Sequence, residues 1–110
     1  MNIQITCRGL ENSAPLEAQI RKQLEKVVTF LGHDREPSSI QLTIDVHPSH
    51  AHNEVHLHIT APRYRVVAHR EGYEVQALID QVIDIAYEDL HKQKAKHIHD
   101  RNDRDGHRGV

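Results

Sequence analysis

His47, His50, His52, His56 and His58 crowd one short stretch of the chain. At alternate positions of an extended segment imidazoles share a face, where zinc or nickel could bridge them. Their spacing matches no standard site and local carboxylate or thiol support is sparse, so a metal-binding module is only one of the readings open. The other chemistry is cationic. Lys92, Lys94 and Lys96 lie in the run HKQKAKH, and Arg63 and Arg65 stand two apart. Both patterns suit phosphate contact as well as an ordinary solvated surface.

Catalytic constellations are missing from the sequence. There is no P-loop, GxSxG, HExxH or paired-cysteine motif, and Asp80 and Asp84 stand one helical turn apart, as solvated helix residues often do. Neither an enzyme nor a cofactor is expected. The single cysteine, Cys7, sits in an apolar alternation and has no partner for an internal disulfide. It reads as a structural thiol in a reducing compartment.

Fourteen Lys and Arg against 16 Asp and Glu give a formal charge of −2, which is not the balance of a generic nucleic-acid binder. The distribution says more than the sum. Residues 55–70 carry Arg63, Arg65 and Arg70 with no carboxylate, whereas residues 71–90 carry Glu71, Glu74, Asp80, Asp84, Glu88 and Asp89 with no Lys or Arg. The three lysines then follow. Phe30, Tyr64, Tyr73 and Tyr87 are the only aromatics and form no strand-borne stacking pair, which argues against reading of single-stranded bases. Contact with phosphates and with the shape of a folded RNA needs no such pair.

The elements that position these residues follow from periodicity. Ile3, Ile5 and Cys7 alternate with polar residues, predicting a first strand. Ser13 can cap a helix whose first turn holds Pro15, and Leu16, Ile20, Leu24, Val27, Val28 and Leu31 mark its apolar stripe until Gly32. Its exposed side offers Arg21, Lys22 and Lys26, with Glu17 and Glu25 spaced to pair with Arg21. Ile40, Leu42, Ile44 and Val46 predict a second strand, and Val55, Leu57 and Ile59 a third, joined by a hairpin loop. After Ala61-Pro62, a fourth strand holds Tyr64, Val66 and Ala68 inward, with Arg63, Arg65 and His69 outward. A long second helix from about Tyr73 to His97 carries Val75, Leu78, Ile79, Val82, Ile83, Ala86 and Leu90. The expectation is an α+β fold, β-α-β-β-β-α, with two helices on one face of a four-stranded mixed sheet.

One domain over residues 1–97 is expected, followed by a flexible polar tail at 98–110 that offers almost nothing to bury. No stretch reaches the roughly 18 apolar residues of a membrane span, and no basic-then-apolar leader opens the chain, so the protein is expected in the cytoplasm.

The opening MNIQITCRGLE, the run S-A-P-L followed by Ile20, Leu24, Lys26 and Phe30, and REGYEVQALIDQVID followed by DLHKQKAK resemble the ribosome hibernation-promoting factor (protein Y) family. The resemblance spans about residues 1–97 and points to the short form. It implies a translation inhibitor that accumulates in stationary phase or stress and occupies the messenger and transfer RNA channel of the small ribosomal subunit. The implied partners are that subunit and its ribosomal RNA, not DNA or membrane, with the protein monomeric off the ribosome. Lys26, Lys92, Lys94 and Lys96 match positions where the family is basic. With Lys22, Arg63 and Arg65 they form the expected RNA-binding set. Ile85, Glu88 and Asp89 depart from the basic or amide residues typical of the family. The rival reading is a His-rich metal-binding module without ribosome binding.

Overall fold

A computed structural model describes residues 2–32, 38–47 and 52–108, with side chains described as far as Ile98. The strands are β1 (Asn2–Arg8), β2 (Ser39–Asp45), β3 (Asn53–Thr60) and β4 (Arg65–Gly72). They form one sheet in the order β1-β2-β3-β4. β1 pairs parallel with β2, and β2, β3 and β4 form an antiparallel meander. This is the expected α+β architecture.

The alternation that predicts β2, β3 and β4 is borne out as burial, while Ile3, Ile5 and Cys7 of the edge strand β1 are partly buried against the core. Ile40, Leu42 and Ile44, then Val55, Leu57 and Ile59, then Val66 and Ala68 lie in the core with residues of the helices. Each large apolar side chain buried here contributes about 1.5–3 kcal/mol relative to exposure. The opposite sheet face carries Gln41, His58, Val67 and His69, all exposed.

The expected first helix is divided into α1 (Ala14–Gln23) and α2 (Glu25–Leu31). Leu24, at the junction, has φ −77° and ψ −7°. That ψ is far from the roughly −42° of a regular α-helix and marks the local break between the two helices. Hydrogen bonds still cross the junction, from Leu24 N to Ile20 O at 2.9 Å and from Val28 N to Leu24 O at 2.9 Å. The apolar stripe therefore continues through Ile20, Leu24, Val27 and Leu31, all buried. Ser13 makes no side-chain bond to the backbone as a cap; its hydroxyl donates to Glu17 Oε1 at 3.2 Å instead.

The last helix, α3 (Val75–Arg108), runs past the end expected near His97. No Gly or Pro interrupts the sequence between Val75 and Gly106, so no local breaker stops the winding at His97. Gly9 has a structural reason to be glycine: its φ is +79°, and an added Cβ would lie 2.3 Å from the Val46 carbonyl oxygen. Beside it Val46 N donates to Arg8 O at 3.0 Å, extending the β1 and β2 pairing.

Candidate nucleic-acid interface

Ala61 and Tyr64 exchange backbone hydrogen bonds of 2.9 and 3.3 Å, which closes a two-residue turn on Pro62 and Arg63. Proline at the first central position presets φ for such a turn. Arg63 is therefore at a turn tip, not on a strand face shared with Val67 and His69 as its spacing suggests. Arg65 opens β4 and is exposed.

α3 is tied to this turn by amide and imidazole. Gln93 accepts from Arg65 N at 3.3 Å and donates to Arg65 O at 2.9 Å. One turn later the His97 ring lies 3.0 Å from Arg63 O, so Nε2 must carry the donated hydrogen. Gln93 and His97 thus form a ridge against the turn, and helical geometry puts Lys94 and Lys96 to either side of it. Arg63, Arg65, Lys96 and His97 line one groove. Arg63, Tyr64, Lys94 and His97 line the adjoining one. Lys92 is exposed one turn before Lys96, on the same side of the helix.

An aromatic ladder props up the basic end. Phe30 meets Tyr64, Tyr87 and His91 edge-on at centroid distances of 5.4, 6.3 and 4.9 Å. Tyr64 meets His97 at 5.9 Å. Lys94 Nζ lies 5.6 Å from the Phe30 centroid and Lys26 Nζ 4.9 Å from that of Tyr87, each within cation–π range. Sequence reasoning missed His91 and His97. Their spacing to Tyr87 and Gln93, four residues in each case, is the signal that could have found them.

The other predicted cations are placed differently. Lys26 on α2 is 2.9 Å from Asp84 on α3, so its charge is partly matched within the fold. Lys22 is exposed on α1. Gln23 donates to Asp80, and with the Lys26–Asp84 pair this links the first and last helices. The acidic half of α3 is thereby in contact with α1 and α2, while its lysines stand at the turn.

At the far end of the sheet, strand register brings the histidines more carboxylate support than the sparse support expected from the sequence. Asp45 pairs with Glu54, and Glu54 with Glu71, so three carboxylates form one row across β2, β3 and β4. His56 stacks on His69 at 4.3 Å between centroids. His58 stands opposite Val67 and His47 follows β2; His50 lies outside the described residues. Cys7 is half-buried, and burial, aided by the Glu17 charge, pushes its thiol pKa up. It therefore stays protonated, as befits a structural thiol.

Sequence comparison with family profiles matches residues 3–98 to "Sigma 54 modulation protein / S30EA ribosomal protein". No curated protein matches the sequence. Among solved structures, the Thermus thermophilus Protein Y N-terminal domain aligns with a TM-score of 0.66 and 16% identity, covering 82% of this chain and 96% of that one. A ribosomal subunit interface protein from Coxiella burnetii aligns with a TM-score of 0.67 and 21% identity, covering 86% and 99%. At these identities the two structures speak for the fold, and the profile match over most of the sequence speaks for descent. The chain belongs to the sigma 54 modulation protein / S30EA ribosomal protein family.

Proposed function

We propose that this protein is a translation inhibitor that binds the ribosomal RNA of the small subunit in its messenger and transfer RNA channel, promoting ribosome hibernation in stationary phase or stress. The observation that carries this reading is the convergence of Arg63, Arg65, Lys94 and Lys96 around His97 at the turn, on a chain of this family. Guanidinium and ammonium groups fixed on a tight turn and a helix end hold a pattern of positive charge that can follow a folded phosphate backbone. Lys22, Lys26 and Lys92 would extend the contact along the helices. The binding unit is residues 1–97, and residues 98–110 form a polar extension.

Inhibition is by occupancy, with no reaction, in keeping with a family of ribosome-associated factors and not of enzymes. No helix among the described residues is long and apolar enough to cross a membrane. The protein works in the cytoplasm as a monomer until it meets the subunit. Titration into a cell-free translation system tests this: synthesis should stop at about one copy per ribosome, because blocking by binding follows mass action. Inhibition at amounts far below the ribosome concentration would mean turnover and refute the occupancy reading.

A further inference from the structure

The end of the sheet opposite the basic turn holds donors that RNA binding does not use. Asp45, Glu54 and His56 can bring one ligand atom each within 4.8 Å of one another, and so can His52, Glu54 and Glu71. Glu54 is common to both sets. Like charges directly opposite on neighbouring strands repel, and here three carboxylates occupy adjacent strands. Arg8 reaches one of them, Asp45, at 3.6 Å. Glu54 and Glu71 are otherwise faced by imidazoles, His56 at 3.8 Å from Glu54 and His52 at 2.7 Å from Glu71.

We propose that this carboxylate and imidazole cluster binds one zinc-class divalent cation, with Glu54, the ligand common to both sets, joined either by His52 and Glu71 or by His56 and Asp45. An imidazole with two carboxylates is a donor set such ions take, in preference to the all-oxygen set of calcium or magnesium. The spacing suits it: ligands about 2.0–2.1 Å from a tetrahedral ion lie roughly 3.3 Å apart, between the two imidazole to carboxylate distances here. The frame is already held. The buried Asn53 accepts from His47 N at 3.1 Å and donates to Tyr73 O at 2.9 Å, fixing the start of β3 between its neighbours. His69 stacks on His56 and orients its ring. A cation here would replace carboxylate repulsion with attraction at the pole farthest from the basic turn.

The test is titration of the full chain, stripped with chelator, with Zn(II) by calorimetry and with Co(II) by visible absorption. Wild type should take up about one equivalent at this site, with the ring resonances of His52 or of His56 shifting during its addition. Glu54→Gln and, separately, the double variant His52→Gln, His56→Gln should each weaken that uptake by about tenfold or more. His58→Gln, on the same open face but outside both sets, should bind as wild type does. Thermal unfolding of each variant checks that the fold is intact. Wild-type affinity in both the Glu54 variant and the double histidine variant, or no saturable uptake by wild type, overturns the proposal.

Discussion

Strand β4 joins two poles of opposite character. It begins at Arg65, beside the Pro62-Arg63 turn and the lysines of α3, and ends near Glu71, in the row that also holds Glu54 and Asp45. Six residues of extended chain separate the two ends by about 20 Å, well over a Debye length at physiological salt. A formal charge of −2 is therefore a sum over regions that do not screen one another locally. An acidic balance therefore need not exclude a phosphate surface; it matters where the acids are held. Those of the first half of α3 are partly engaged with the first helices, Asp84 with Lys26 and Asp80 with Gln23. Those of the sheet end are gathered around histidines.

The two poles can be separated by substitution, and the largest effect is expected on the fold beneath the acidic one. Gly9→Ala forces a Cβ toward the Val46 carbonyl in a backbone conformation that favours glycine, and should cost about 1–3 kcal/mol of stability. Urea unfolding measures it, and because the clash lies beside the Arg8 and Asp45 strand ends, the folded variant should retain its basic turn and its subunit affinity. An undiminished midpoint would mean the strand ends part without cost.

A smaller effect is expected where the poles touch through α3. Asp84→Asn leaves Lys26 without its ionic partner and frees the ammonium for phosphate. Affinity for isolated small subunits should rise a few-fold, and the slope of log affinity against log salt should steepen by about 0.7–0.9 if one phosphate contact is gained. An unchanged slope would remove Lys26 from the RNA surface.

The smallest effect concerns pH. The His52 ring hydrogen-bonds the Glu71 carboxylate and holds its pKa below the ordinary value, with the charges of His52, His69 and His56 adding to this. A carboxyl whose folded pKa is depressed contributes stability above its unfolded pKa, near 4.5, and loses it as pH falls through the lower folded value. Wild type should therefore lose a small stability advantage over His52→Ala as pH drops below about 5. Parallel stability curves for the two proteins would show that the pair contributes nothing.

What could be read in advance was what depends on period. Ile40, Leu42 and Ile44 had to share a face, as did Leu78, Val82 and Ala86, so the sheet, its helices and their common side follow from spacing alone. What depends on register or on a turn could not. Two residues apart suggested a shared strand face for Arg63 and Arg65, yet Ala61 and Tyr64 close the turn between the strands and put Arg63 at its tip. Glu71 lies far along the chain from Asp45, and only the pairing of β2, β3 and β4 makes them neighbours of Glu54. The break at Leu24 was equally hidden, since an apolar stripe is indifferent to a local change in ψ. The lysines of HKQKAKH were legible as cations; that Gln93 and His97 between them grip the turn was not.

If the turn and the end of α3 contact RNA as proposed, binding must depend on salt through their cations. Affinity for isolated small subunits should be measured over a range of salt for wild type, for Arg63→Ala with Lys94→Ala and Lys96→Ala, and for Asp45→Asn with Glu71→Gln at the other pole. The triple variant should bind more weakly with a slope shallower by about 2 to 2.7, for three lost phosphate contacts, while the acidic-pole variant keeps the wild-type slope. A triple variant with the wild-type slope and affinity would contradict this RNA contact.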